Sequence, residues 1–287
     1  MIEAGGALLP IIYQDQHLVA IHKPAGLLVH RSIIDRSERR FALQMLRDQL
    51  GQRVYAVHRL DKGTSGVLLF ALSSAVGRAL STSFEQRQVG KNYLAVVRGH
   101  PPLAGEIDHP LRRHFDTEGA RAAAAAVAAT NSPTQDACTR YRRLATIELP
   151  HRVDRYPSSR YALIELEPLS GRRHQLRRHL KHIAHPIIGD ATHGKGRHNR
   201  LFQTLFACHR LLLACTELRL AHPVTGAELT LRAPLANDFY RLLARLEWTA
   251  AVPLQWLPDG TAGELDESPG EGCERGADQI TARNDSA

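Results

Sequence analysis

Four cysteines in 287 residues, Cys138, Cys208, Cys215 and Cys273, are too few and too scattered for a disulfide framework. None stands at a spacing that would close a zinc site. No stretch approaches the roughly 18 apolar residues of a membrane-spanning helix. The opening Met1 to Gly6 has no basic region ahead of an apolar run, so it does not read as a secretory leader. No basic amphipathic helix stands at either end, which argues against attachment to a membrane surface. These absences place the expected protein in a reducing cytoplasm, away from membranes.

What the chain does have is positive charge. It carries 37 Lys and Arg against 29 Asp and Glu, formally +8, with 16 His besides. From Asp259 to Ala287 there are eight acidic and two basic residues, a net of −6, so the remainder to Pro258 carries +14. A body this basic expects a polyanion such as RNA or DNA. The length suits one large domain or two small ones. Composition divides the chain into a short extension (1–10), a body (11–258) and an acidic tail (259–287) rich in Gly, Glu, Asp and Ser, which reads as disordered. The charge contrast raises autoinhibition of the body by that tail as a hypothesis.

The most informative stretch is His58-Arg59-Leu60-Asp61-Lys62-Gly63-Thr64-Ser65-Gly66. Val54–Val57 before it reads as a strand, and Val67–Leu72 after it as a fully buried one. Gly63 and Gly66 permit backbone angles that a β-carbon forbids, and Thr64 and Ser65 can close the turn through local hydrogen bonds. If the first strand runs on to Asp61, Arg59 and Asp61 share a face, where a guanidinium would keep the carboxylate ionised. Asp61 is then either a nucleophile on a rigid turn or a cap for its own turn.

Other elements follow from periodicity. Residues 11–23 read as two short strands ended by Pro24-Ala25-Gly26. Phe41–Leu50 reads as a helix, as does the run from Ser73 to about Gln88, with Val76, Leu80 and Phe84 on its apolar face. Lys91–Gly99 alternates as a strand with Tyr93, Ala95 and Val97 on one side, and Thr139–Leu144 opens another, rich in arginine. Residues 119–133 are alanine-rich, either a short helix or a surface insertion. A strand to Glu167 puts Ala162, Ile164 and Leu166 on one face; Ser170-Gly171 turns the chain into a helix with Leu176, Leu180 and Ile183 inward. Arg172, Arg173, Arg177, Arg178 and Lys181 crowd what reads as that helix's start, where the dipole disfavours cations. A bound phosphate or a nearby carboxylate would resolve the conflict. His174, His179, His182 and His185 lack a convincing ligand set, so no metal is expected. The segment from His209 reads as helix, strand, turn and strand, and Pro234 begins a last helix to about Leu246.

The nine-residue string resembles the central motif of pseudouridine synthases of the large-subunit-A type, His-Arg-Leu-Asp, two variable residues, then Thr-Ser-Gly. Lys23-Pro24-Ala25-Gly26 resembles the first motif of that family, Lys91-x-Tyr93-x-Ala95-x-Val97-x-Gly99 its tyrosine strand, and Gly171-Arg172-Arg173-His174-Gln175-Leu176-Arg177 its third motif. The resemblance covers roughly residues 11–248. It implies an α+β catalytic domain with a central mixed, mainly antiparallel sheet flanked by helices and a cleft across it. It implies isomerisation of uridine in RNA to pseudouridine, without metal or other cofactor. By the same resemblance Asp61 is the essential catalytic residue, Arg172 approaches and orients it, and Tyr93 stacks on the target base.

Arg59 would help extrude that nucleotide, and His58, Arg173, His174, Gln175 and Arg177 would touch RNA. His30 and Arg31 either contact the RNA backbone or are solvated loop residues. Only about ten residues precede the first strand, so no S4 RNA-binding domain is expected, and no protein partner is implied, which suggests a monomer. Val29-His30-Arg31-Ser32, the Arg47-Asp48-Gln49 run and His193-Gly194, standing where most members carry Tyr-Gly, resemble one branch that acts on tRNA at uridine 65. An rRNA or dual-substrate synthase is the alternative within the family. A non-catalytic RNA-binding or RNA-folding protein is the alternative outside it.

Overall fold

The computed structural model describes residues 8–31, 38–112 and 133–258. The acidic tail, residues 1–7 of the N-terminal extension and residues 119–132 of the alanine-rich insertion lie outside the described residues. So do Ser32 and its five following neighbours.

Ten strands form one mixed sheet in the order β1-β2-β4-β11-β5-β10-β9-β6, with β3 pairing beside β4 and β12 beside β11. The strands are β1 (Ile11–Gln14), β2 (Leu18–Lys23), β3 (Tyr55–Ala56), β4 (Ser65–Ala71), β5 (Gly90–Arg98), β6 (Ala104–Asp108), β9 (Cys138–Leu149), β10 (Ser159–Pro168), β11 (Leu213–Ala221) and β12 (Glu228–Arg232). A separate short ladder pairs β7 (Leu111–Arg112) with β8 (Thr134–Gln135). The helices are α1 (Ala42–Leu50), α2 (Ser74–Glu85), α3 (Gln175–His182), α4 (Gly196–Phe206) and α5 (Asn237–Arg245). This is the mainly antiparallel α+β architecture expected of the sequence. Among the described residues no helix is long and apolar enough to cross a membrane.

Alternation along β5 and β10 divides the core by face. Leu94, Val96, Tyr161 and Leu163 pack with α4, α5 and the buried Trp248 and Trp256. Ala95, Val97, Ala162, Ile164 and Leu166 pack on the other side against Leu176 and Leu180 of α3. A third cluster fills the space between β2, β4, α1 and α2. At about 25 cal/mol per Å² of apolar surface removed from water, each fully buried Leu or Phe contributes roughly 2 kcal/mol.

The two parts of the sheet are joined by one parallel contact, Ser65 beside Ala214 and Gly66 beside Cys215. Beyond it they diverge. β4 continues beside β3 at Phe70 and Ala71, whereas β11 continues beside β12 from Glu217. Gly66 makes the contact possible. Its φ is +112°, and a Cβ there would lie 1.9 Å from the Cys215 carbonyl oxygen. Gly63 acts differently from the expectation. It needs no unusual φ, but a Cβ would stand 3.0 Å from that of Leu211, so it is a close-approach glycine.

Several boundaries depart from the sequence reading. The strand before Asp61 is only Tyr55–Ala56, so residues 57–64 are turns and loop, and the shared strand face for Arg59 and Asp61 does not exist. The helix expected from His209 is absent. The helix in this region is α4, at Gly196–Phe206, and the chain at Leu213 is already β11. α3 starts at Gln175, so Arg172 and Arg173 precede it and the crowding of cations in its first turn is partly removed.

Candidate active site

The loop that follows β3 delivers Asp61 to the point where the sheet divides. Its turn is closed by the Thr64 amide donating to the Asp61 carbonyl at 3.0 Å, and the Lys62 carbonyl accepts from the Gly26 amide at 2.8 Å. Lys23, wholly buried at the end of β2, fastens the same loop from beneath. Its Nζ donates to the carbonyls of Leu27 at 2.7 Å, Pro24 at 2.8 Å and Lys62 at 3.3 Å. Burial, and then the Arg210 charge, push the Lys23 ammonium down to about 7, with Asp61 opposing. Ser65 is held from a distance rather than locally, because Arg210 Nη2 donates to its Oγ at 2.6 Å.

The side chain that grips Asp61 is Arg177, from the first turn of α3. Its Nη1 donates to Asp61 Oδ2 at 3.0 Å. Its Nε and Nη2 form a fork onto Asp190 at 2.7 and 2.8 Å. Asp190 Oδ1 also accepts the amides of Thr192 and His193 at 2.9 and 2.8 Å. Burial alone would raise the Asp190 carboxyl, but the Arg177 hydrogen bonds and the amides outweigh it, and it lies below the usual carboxylate range. One planar guanidinium thus spans two carboxylates and fixes Asp61 to a buried anchor. The other Asp61 oxygen lies 3.8 Å from His174 Nε2. Burial, despite Asp61, pushes the His174 imidazole down to about 4. His174 sits at φ +52°, ahead of the helix, with its Nδ1 3.1 Å from His193 Nε2.

This corrects the expectation for Arg172. Its Nε donates to the Asp136 carbonyl at 3.1 Å, on the rim of the site. The first arginine of the Gly-Arg-x-His-Gln-Leu-Arg string lies in the turn before α3, and the second, five residues on, reaches the carboxylate. The RNA-contact expectation for Arg177 gives way with it, since all three of its nitrogens are engaged by Asp61 and Asp190.

Gln175 is likewise committed to the fold. Its Oε1 accepts from Ser170 Oγ and the Arg172 amide, and its Nε2 donates to the Cys138 carbonyl and Thr139 Oγ1. His58 serves the scaffold too. Its Nε2 accepts the Leu69 amide at 2.9 Å, and its ring stacks on Phe84 with centroids 4.7 Å apart. Burial, then the Lys91 charge, push His58 down to about 3.

Two cavities meet at Asp61. The smaller, about 450 Å³, also holds Tyr93, Leu213, Lys91, Arg172 and the rim formed by Gly171 and Arg173. Tyr93 is half-buried; burial first, then Cys215 beside it, raise its hydroxyl well above the usual tyrosine value, so it stays protonated. The larger, about 1400 Å³, runs from Asp61 past His30, Arg31 and Arg59 to Arg210 and the face of α5. Arg59 and Arg173 line both cavities. The loop carrying His30 and Arg31 therefore faces the same cleft as Asp61, with the Arg31 guanidinium 5.9 Å from the centre of the Phe41 ring. Sequence reasoning missed Asp190 as the anchor of Arg177. The signal available was a lone acidic residue after Gly189, itself at φ +81° and pressed against the Arg210 carbonyl.

A clamped carboxylate on a rigid turn, between a pocket that holds Tyr93 and a larger arginine-lined cleft, fits an enzyme that acts on a polyanion. The chain belongs to the RNA pseudouridylate synthase family, whose model matches residues 17–182. It is 50% identical over 246 residues to a tRNA pseudouridine synthase C of Pectobacterium carotovorum, covering 86% of this chain and 64% of that protein. It is 46% identical to the protein of the same name from Vibrio vulnificus, over 85% of this chain and 98% of that one. Among solved structures it is similar to human RNA Pseudouridylate Synthase Domain Containing 4, with a TM-score of 0.59 and 27% identity over 83% of this chain and 93% of that one. The fold and the family thus agree with what the sequence motifs implied.

Proposed function

We propose that this chain is a tRNA pseudouridine synthase that isomerises uridine 65, acting as a monomer in the cytoplasm. The observation that carries the chemistry is Asp61 itself, held by the Arg177–Asp190 pair at the junction of an aromatic pocket and a basic cleft. The two relatives named above supply the RNA class, since both bear the name tRNA pseudouridine synthase C. His193-Gly194 and the Val29-His30-Arg31 opening favour the branch that acts at uridine 65.

The reaction breaks the bond between N1 of uracil and C1′ of ribose, turns the base, joins C5 to C1′, and moves the C5 proton away while N1 gains one. Atoms and electrons are conserved within the nucleotide. The target must leave its stack, because its glycosidic bond is inaccessible in a stem. Asp61 starts the chemistry. Arg177 fixes the orientation of its carboxylate, so no reorganisation is needed at the moment of reaction. Tyr93 forms a platform for the extruded base, and its hydroxyl, kept protonated, can donate a hydrogen bond but is poorly placed to give up a proton. Arg59 and Arg173 at the shared rim stabilise the displaced phosphate or fill the vacated stack. Arg172, on the rim by Asp136, supports RNA contact rather than Asp61.

The test is base-specific. Unmodified tRNA and rRNA fragments are incubated with the wild type and with Asp61→Ala, and pseudouridine is mapped by carbodiimide adduct stops. A stop at uridine 65 of tRNA with the wild type alone is expected. Stops confined to rRNA would keep the chemistry and replace the substrate. Binding without conversion in any RNA would leave an RNA-folding protein.

A further inference from the structure

We infer that the larger cleft is the track for the RNA strand flanking the target nucleotide, and that Arg241 and Arg245 of α5 bind phosphates at its far end. This rests on the reading that the chain acts on RNA.

At about 1400 Å³ the cleft exceeds the roughly 300–1,000 Å³ of a small-molecule pocket, and it is continuous from Asp61 to Arg245. Eight of the side chains lining it are Arg or Lys against three Asp, a net of +5. All three aspartates are already paired, Asp61 and Asp190 with Arg177 and Asp238 with Arg210 at 2.7 Å, which leaves Arg31, Arg59, Arg241 and Arg245 without a carboxylate partner among the described residues.

Along α5, Phe239, Leu242 and Leu243 are buried, while Arg241 and Arg245 lie four residues apart on the exposed face. Arg245 is set in place: its Nη2 donates to the Leu205 carbonyl at 2.7 Å and its guanidinium lies 4.9 Å from the centre of the Phe206 ring. One of five donors is used, so the rest remain for a ligand. Arg241 is exposed and makes no hydrogen bond or ion pair among the described residues, yet it lines the same cleft. Complementing the helix dipole accounts for a cation in the last turn. It does not account for two arginines converging with Arg210 on one trough that ends at a catalytic carboxylate.

The experiment is fluorescence anisotropy with the full chain, unmodified tRNA and an unrelated RNA hairpin across a salt series. Each phosphate contact contributes about 0.7 to 0.9 to the slope of log affinity against log salt, the lower figure for a single strand. The double variant Arg241→Gln, Arg245→Gln is expected to lower that slope by about 1.4–1.8 and to weaken binding by about 10- to 100-fold at low salt. The loss should appear as a rise in KM by a similar factor. Arg241→Lys should retain most of the binding, because a phosphate accepts a point charge. Arg78→Gln, on α2 and lining neither cavity, should change nothing. If the double variant fails to fold, Arg241→Gln alone carries the test and should lower the slope by about half as much. A slope shared by wild type and variants would overturn this assignment while leaving the proposed reaction standing. Wild-type binding to neither RNA would overturn both. Strong binding to both RNAs with conversion of neither would remove the proposed reaction and leave the phosphate track.

Discussion

The two cavities that share Asp61 are made of different material. The smaller one is walled by β5, the Asp61 loop, the turn before α3 and the near ends of α2, α3 and β11, with Tyr93, Phe84 and Leu213 giving it an apolar side. The larger one is walled mostly by loops and by α5; both linings are cationic, eight Arg or Lys against three Asp in the larger and six against Asp61 and Glu85 in the smaller. Geometry in the first is over-determined. Lys23, Gly66 and the Arg177–Asp190 fork all constrain the Asp61 turn, as a site that must hold a reacting atom requires. The second tolerates variation, because phosphate recognition depends on summed charge more than on one precise distance. Substitutions in the first should therefore act on turnover, and those in the second on affinity and its salt dependence.

The largest effect is expected at Asp61. Asp61→Asn keeps the shape and the Arg177 contact but removes the reacting carboxylate, and turnover should fall by about 10⁴-fold or more, the scale of deleting an acting catalytic group. RNA affinity by anisotropy should be nearly unchanged. A loss of affinity matching the loss of turnover would erase the distinction between the two cavities. Next comes the anchor. Asp190→Ala leaves a buried guanidinium half-answered and should destabilise the fold by about 3–5 kcal/mol, measured by denaturant unfolding. Arg177→Lys keeps the charge but cannot span both carboxylates, and turnover should fall by about 10²-fold with a small change in KM.

How much of this the sequence discloses differs between the two cavities. The Asp61 turn and the Tyr93 strand are legible because they rest on short-range signals, glycines in a turn and period-two alternation, whereas the mainly antiparallel sheet is legible only through the family resemblance of the long contiguous motif. The partner of Asp61 was misread because Arg172 and Arg177 stand in the same string, and only the start of α3 decides which one points inward. That start is set by Gln175, whose four hydrogen bonds tie a turn at Ser170 to β9, a tertiary fact. Asp190 could be seen as an acidic residue after a glycine, but its part as the anchor of Arg177 could not, since it depends on a residue thirteen positions earlier. The α5 wall of the larger cleft read only as a last helix, because nothing local says that its exposed arginines and Asp61 share one trough.

Smaller effects sharpen the contrast. Tyr93→Leu removes a stacking platform worth about 1–3 kcal/mol per base, so kcat/KM should fall by about 10- to 100-fold. Tyr93→Phe separates the ring from the hydroxyl. Near-wild-type turnover in that variant would assign Tyr93 to stacking alone. A drop as deep as that of Tyr93→Leu would give the hydroxyl a part in moving a proton.

The mildest expected effect concerns His58, which belongs to the motif by sequence and to the scaffold by structure. Its Nε2 must be unprotonated to accept the Leu69 amide, and burial holds its pKa at about 3, well below the ordinary 6.5. Between those two values the unfolded chain binds a proton at this position that the folded one does not. Stability must therefore rise with pH across that window and be lost as pH falls from about 6.5 toward 3. His58→Asn keeps a side-chain acceptor without a titrating ring. Unfolding curves for the wild type and the variant should converge as pH falls from 6.5 to 5, where few ordinary carboxylates yet contribute. Parallel curves would mean that His58 does not titrate on unfolding. They would also return its ring to the list of groups free to meet RNA in the smaller cavity.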